Sequence, residues 1–243
     1  MKVTQNSNPK PKINPKEEKY LKYYHKLIEE LLWADLHLKL WRRLIDYSRQ
    51  LHVANTFFTV TMKAHLDAAL VHLFKVFDTH EDSLSIWKFM KYVDTNTEIF
   101  STESFAGRMA GNTNLDYILK SHVPVTSKDI EKDKNILHSK ESIIKTLKKS
   151  RDKEYSHIDE AILLKIDNAP RQSHLSISEV QDSITAVFEI LSRYSTAYDQ
   201  STFSRKWLGE DDIEEVMASI QFRSEEQSKL WNISQTRQID LSS

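Results

Sequence analysis

Glycine is scarce in this chain, and this scarcity constrains the fold more than any other feature of the sequence. Only three glycines and five prolines occur among 243 residues, while leucine, lysine, glutamate and isoleucine are frequent. Glycine and proline turn or interrupt a chain, whereas Leu, Lys and Glu favour helix interiors. The composition therefore predicts an all-helical protein.

Apolar residues recur at spacings of three and four along several long segments, as in helices that bury one face. The pattern predicts helices over residues 17–49, 54–78, 84–93, 127–155, 177–198 and 211–231. Thr126 with Asp129, and Ser176 with Glu179, provide helix-capping signals. Residues 100–126 read as a connector with one short helical turn. The expected fold is an all-α, antiparallel bundle of four or more helices, with an extra C-terminal helix.

The polar ends of the chain predict its domain organisation. Residues 1–16 are polar, lysine-rich and proline-containing, so we expect a disordered leader rather than a signal peptide. The helical bundle is expected over 17–200, and a C-terminal helix with a frayed tail over 201–243.

Charge and cysteine content exclude several classes of protein. The chain has no cysteine, which rules out disulfides and thiol catalysis and is typical of a reducing cytoplasm, where we expect the protein. Its formal net charge of −1 argues against a protein that coats nucleic acid. Lys63, His65 and Asp67 interrupt the apolar segment 54–78 too often for a membrane span, so no membrane partner is expected.

Residues 147–159 place an arginine and a histidine six positions apart in a helical pattern. Arg151 falls on the apolar stripe of that pattern, where a charge needs a buried carboxylate, a subunit interface or a substrate phosphate as its partner. In one straight helix Arg151 and His157 would lie roughly 120° and about 9 Å apart. Their convergence on one atom therefore requires a helix end, a kink, or a second copy of the motif across a two-fold axis.

The same helix carries a local cluster of positive charge. Its members are Lys145, Lys148, Lys149, Arg151 and Lys153. The cluster indicates either contact with nucleic acid or an ordinary solvated helix face.

The motif wording resembles a known family. An arginine followed by Asp152 and, after a short interval, by His157 resembles the signature of the HEPN superfamily of helical ribonucleases. The run from Arg151 to Asp159 is similar to its AbiU-type abortive-infection branch, with Ser156 where alanine is usual. A second stretch, residues 55–93, is also similar to that branch, with its paired phenylalanines, its apolar helix ending in Phe-Asp, and the Leu-Ser-Ile that follows.

The resemblance implies an RNA endonuclease that needs no metal or other cofactor and acts as a homodimer with a composite site. It implies that His157 transfers the proton and that Arg151 holds the scissile phosphate, as the catalytic pair. Asp152 and Tyr155 would support this pair, and Lys148, Lys149 and Lys153 would bind RNA. An antitoxin or regulatory protein is a further expected partner.

Two alternatives remain beside this prediction. HEPN domains without nuclease activity are known, so a catalytically inactive helical dimer that binds a nucleotide or a protein fits the same resemblance. In that case Arg151 would serve as an interface anchor, or would pair with an acid such as Asp78. His65 and His72 lie seven residues apart on one face of an apolar helix, and we expect them to be hydrogen-bonded rather than metal ligands.

Overall fold

A computed structural model of the chain describes residues 14–47, 55–150, 176–207 and 209–240, without the side chains of 55, 147, 148, 150, 228 and 230–240. All regular structure in these ranges is helical, as predicted. The α-helices are α1 Pro15–Asp46, α2 Asn55–Phe77, α3 Ile86–Thr95, α4 Thr102–Arg108, α5 Leu115–Ser121, α6 Ser127–His138, α7 Glu141–Ser150, α8 Ile177–Asp199 and α9 Asp212–Asp240. A 3₁₀ turn, Thr97–Phe100, separates α3 from α4.

The motif-bearing helix was predicted as one element from residue 127, and this was wrong. It breaks after His138, so that α6 and α7 are separate helices. The hydroxyl of Ser139 donates to the Ile136 carbonyl at 2.6 Å, a side-chain hydrogen bond that competes with helix continuation. His138 Nδ1 lies 2.9 Å from Glu141 Oε1 across the same turn.

Two other element predictions were incomplete. α4 lies inside the predicted connector, because Ser101 caps it by accepting from the Ser104 amide at 3.1 Å and Gly107 stands only at its last turn. The last helix runs to Asp240 rather than to residue 231. No glycine or proline follows Gly209, so no sequence signal ends the helix earlier. The leader prediction for residues 1–13 lies outside the described part of the chain.

The described residues divide into two compact units. The first comprises residues 1–32 and 71–203, and the second comprises 33–70 and 204–243, so α1 and α2 each contribute to both. The predicted boundary near residue 200 remains a prediction.

The core of the first unit is built around α8 and an aromatic cluster. α8 contacts α4, α6 and the 3₁₀ turn, and most of its apolar side chains from Val180 to Tyr198 are buried. The buried ring of Tyr20 has its centroid 5.8 Å from that of Phe89, 5.3 Å from Phe100 and 4.8 Å from Tyr198. Aromatic contacts of this kind stabilise a core beyond the area they bury.

Glu30 joins α1 to α2 within the first unit. Its carboxylate accepts from His72 Nδ1 at 2.7 Å and from Lys75 at 3.1 Å, and it lies 2.9 Å from Lys26. Burial alone would raise the pKa of Glu30, but the hydrogen bonds from His72, Lys26 and Lys75 outweigh it and lower the pKa to about 2. His72 is therefore hydrogen-bonded, as expected from the sequence.

The second unit has its own small core and charge network. Leu44, Phe58 and Met217 form its buried apolar cluster. Asp35 is fully buried and accepts from Arg205 at 2.6 Å, with Lys39 at 3.2 Å. His65 shares a 2.9 Å Nδ1 to Nδ1 hydrogen bond with His37, so it is hydrogen-bonded, as expected.

We predict that Glu30→Gln lowers the free energy of unfolding by roughly 2–3 kcal/mol at neutral pH, because two lysines and His72 lose a buried anion. The stabilisation that Glu30 contributes is complete at pH values above 4.5, the pKa of this carboxyl in the unfolded chain. It is lost as the pH falls toward about 2, the pKa in the folded protein. Urea denaturation of both proteins between neutral pH and this limit measures the difference.

Glu29→Gln is the matched control for that measurement. Glu29 also pairs with Lys26, at 3.0 Å, but its side chain is 55% exposed. The free energy of unfolding should therefore change by no more than about 0.5 kcal/mol. A Glu30→Gln effect that equals the control, or that does not shrink in acid, contradicts the assigned role.

Candidate active site

The predicted catalytic residues lie immediately after α7. Arg151, Asp152, Lys153, Tyr155 and His157 fall in residues 151–175, outside the described residues. Their convergence and their roles therefore remain predictions. The structure describes the helices before and after these residues, α7 and α8.

α7 leads directly into the motif and is strongly amphipathic. Ile143 and Ile144 are 7% and 9% exposed, so this face of the helix packs inward. Lys145 and Lys149 are exposed, and Lys145 lies 3.5 Å from Glu141. Of the predicted RNA-binding lysines, Lys149 is thus placed on a solvent-facing surface, while Lys148 belongs to the same helix.

The turn between α6 and α7 is anchored on α3. The ring centroid of His138 lies 5.2 Å from that of Trp87, with the planes tilted by 36°. α6 itself begins with the predicted capping box, in which the Asp129 amide donates to Thr126 Oγ1 at 3.3 Å and the Thr126 amide donates to Asp129 Oδ2 at 3.0 Å. These local contacts fix both ends of α6 ahead of the motif.

The far side of the motif segment ends at α8, which also begins with a predicted capping box. The Glu179 amide donates to Ser176 Oγ at 3.2 Å, and the Ser176 amide donates to Glu179 Oε2 at 3.0 Å. The chain therefore enters the segment from α7 and leaves it at a well-defined residue, Ser176.

An ion pair between a buried carboxylate and a partly exposed guanidinium joins α6 to α8. Asp133 is fully buried, and one of its carboxylate oxygens pairs with the guanidinium of Arg193. Burial alone would lower the pKa of Arg193, but the hydrogen bond to Asp133 and the negative charge of that residue, with smaller contributions from Tyr194 and Asp129, together outweigh burial and raise the pKa. Burial, and then the Asp133 charge, raise the pKa of the neighbouring Tyr194 hydroxyl, which stays protonated.

A cavity of about 440 Å³ adjoins this pair. It lies between α8 and the residues that connect α5 to α6, and Arg193, Asp129 and Glu189 line it. His122 stacks on Phe105 with ring centroids 4.0 Å apart and approaches the Ala197 carbonyl with Nε2 at 3.1 Å. The contact between His122 and Ala197 holds the connection against α8.

Within the described ranges, no group of three His, Asp or Glu side chains is arranged to hold a metal ion. None of the helices described there is both long enough and apolar enough to cross a membrane.

The comparison with protein families assigns the chain to a class. The family model HEPN_AbiU2, described as AbiU2, matches residues 17–218, which include the motif and both flanking helices. The chain belongs to this AbiU2 family of HEPN proteins, and the resemblance drawn from its two sequence stretches is confirmed. Neither the curated proteins nor the solved structures contain a match to it.

We predict that Asp133→Asn lowers the free energy of unfolding by roughly 2–3 kcal/mol, because Arg193 loses its partner and the buried site loses its charge. The isosteric change isolates the charge from the packing. Thermal and urea unfolding measure the loss.

Glu131→Gln, two residues earlier on α6, is the control for that loss. It makes the same chemical change at an exposed position and should shift stability by no more than about 0.5 kcal/mol. Equal stability of the two variants would mean that the ion pair does not hold α6 to α8.

Proposed function

We propose that this protein is a metal-independent RNA endonuclease whose catalytic residues are Arg151 and His157. One observation carries the proposal: the family match spans residues 17–218, and the signature arginine and histidine of that superfamily stand within it. The family supports the proposed enzyme class, and the sequence motif supports the choice of catalytic residues.

The chemistry follows from the two side chains. His157 takes the proton of a ribose 2'-hydroxyl, because imidazole titrates near neutral pH. The freed oxygen attacks the adjacent phosphorus, the bond to the 5'-oxygen breaks, and that oxygen leaves with a proton returned by an imidazolium. The products are a 2',3'-cyclic phosphate and a 5'-hydroxyl. Because the nucleophile is the 2'-hydroxyl, the substrate is RNA and not DNA.

The positively charged residues stabilise the charge that develops on the phosphate. Arg151 clamps two phosphate oxygens with its planar guanidinium. Asp152 orients that guanidinium or a histidine, and Tyr155, one helical turn after Arg151, adds a hydrogen bond. The exposed face of α7, with Lys145 and Lys149, extends positive charge to within two residues of Arg151. This supports contact with RNA by Lys148, Lys149 and Lys153.

Two copies of the chain complete the site in this proposal. Six residues of straight helix separate the directions of Arg151 and His157 by roughly 120°, so pairing of two motifs across a two-fold axis brings an arginine and a histidine together. An abortive-infection role, in which RNA cleavage stops the growth of a phage-infected bacterial cell, rests on the family alone. An antitoxin or regulatory protein would hold such an activity in check.

We predict that the wild-type protein cleaves total RNA or tRNA in excess EDTA and leaves 2',3'-cyclic phosphate ends. His157→Ala and Arg151→Ala should each lower the rate at least about a hundredfold while staying folded, because each removes a group needed in the transition state. Gel analysis of the RNA and chemical analysis of the new 3' ends give the result.

His25→Ala and Arg223→Ala serve as controls, because both side chains are exposed on helices outside the motif segment and should leave cleavage unchanged. If folded wild-type protein leaves all RNA intact with its regulators removed, the inactive helical dimer becomes the better description. In that case His157→Ala would alter only stability or partner affinity.

A mixing experiment tests the composite site. If Arg151 of one protomer acts with His157 of the other, refolding an equal mixture of Arg151→Ala and His157→Ala chains restores up to about a quarter of wild-type activity. Each variant refolded alone stays inactive. The protein should also be a dimer in solution, at twice the chain mass of 28.5 kDa. If it is a dimer and the mixture restores no activity, both residues of a site lie in one chain.

A further inference from the structure

An open groove of about 520 Å³ lies between the N-terminal part of α1 and α3. Its main side chains come from two helices far apart in sequence. They are Lys19 and Tyr23 of α1, and Trp87, Lys88, Lys91 and Tyr92 of α3. These six residues are called the α1–α3 groove below.

The charge of this groove is opposite to that of the whole protein. Lys19, Lys88 and Lys91 line it, and Glu81 is the one carboxylate among its described lining residues. Within the described part of the chain, no carboxylate oxygen lies within 4.0 Å of these three ammonium groups. Lys88 donates to the Glu81 carbonyl at 3.0 Å, which holds its ammonium in place. A net positive groove on a chain of net charge −1 favours an anionic ligand.

The groove also offers aromatic surface. Tyr23 and Tyr92 meet edge to face with centroids 5.5 Å apart, and the Tyr92 hydroxyl donates to the Lys16 carbonyl at 2.8 Å, which fixes its ring. The Lys19 ammonium lies 5.5 Å from the Tyr23 centroid and 5.2 Å from the Tyr92 centroid. A phosphate that binds Lys19 therefore lies beside both rings.

Lysines beside half-buried aromatic rings match the chemistry of a single-stranded nucleic acid. Cations neutralise successive phosphates, and aromatic faces hold bases without reading their sequence. An acidic peptide uses the lysines but gains nothing from the rings. A regular duplex keeps its bases stacked on one another and offers the rings no free base.

The groove is connected to the chain that enters the motif. Trp87 lines the groove and packs on His138, the last residue of α6. The ten residues of α7 span about 15 Å, so the chain enters the motif within about 25 Å of His138. One RNA strand can therefore occupy both places.

We infer that the α1–α3 groove binds a single-stranded segment of the RNA substrate that continues to the scissile phosphate, with Lys19, Lys88 and Lys91 on phosphates and the tyrosine rings on bases. This inference rests on the proposed ribonuclease function for the identity of the strand. The groove has no role in the bond-breaking step and acts by positioning RNA.

The test measures binding separately from cleavage. The probe is a fluorescent 2'-O-methylated oligouridylate of about twelve nucleotides, which lacks the nucleophile and so is bound without being cut. Fluorescence anisotropy should show Lys88→Ala/Lys91→Ala binding at least about tenfold more weakly than wild type. The slope of log affinity against log salt should fall by about 1.4, because two phosphate contacts are lost.

A matched control changes the same number of charges elsewhere. Lys128→Ala/Lys132→Ala removes two exposed lysines of α6, in a region that lacks the aromatic rings, and should bind the probe like wild type. Tyr23→Leu keeps an apolar side chain but removes the ring, and should weaken binding about tenfold with an unchanged salt slope.

The possible outcomes distinguish RNA binding by the groove from the proposed ribonuclease activity. Groove-dependent binding in a protein that cleaves no RNA supports the groove and counts against the proposed function. If the groove variants, the control pair and the wild type cleave RNA and bind the probe equally well, the proposed role of the groove in RNA binding is wrong. Displacement of the probe by polyglutamate as well as by unlabelled oligouridylate, or equal affinity for duplex RNA, also overturns it.

Discussion

The ion pair between Asp133 and Arg193 is the interaction on which the arrangement around the motif depends. It joins the helix two elements before the motif segment to the helix that follows it. A fully buried carboxylate is costly unless a cation meets it, so α6 and α8 are held in the register that brings these two residues together. The contact between His138 and Trp87 fixes the turn from which α7 begins. The position of α7 in turn determines where the chain enters the motif.

Local signals in the sequence were sufficient to predict most helices. The capping boxes at Thr126 and Ser176 were predictable because their partners stand three residues away. The break after His138 was not, because Ser139 is no stronger a helix breaker than other serines in the chain and acts through one hydrogen bond to Ile136. α4 was hidden by Gly107, although a glycine in the last turn of a helix costs little.

Some residues of the candidate site could likewise be predicted from the sequence, and others could not. Arg151 and His157 could be singled out because their spacing matches a family signature, and the family is shown over residues 17–218. The α1–α3 groove could not, because Lys19 and Tyr23 are separated from Lys88 and Tyr92 by most of two helices and only folding brings them together. In the second unit, Arg205 and Asp35 are likewise 170 residues apart, and no periodicity predicts their contact.

The Asp133 to Arg193 contact also closes a loop of 60 residues that contains α7 and the motif. The entropy of closing a flexible loop rises only slowly with its length, by about 0.6 kcal/mol for each doubling. Insertions and deletions between the two anchors therefore change the stability of the closed chain far less than substitutions at the anchors do. Outside α7 and the motif, this segment can change in length while the contact between Asp133 and Arg193 keeps α6 and α8 in register.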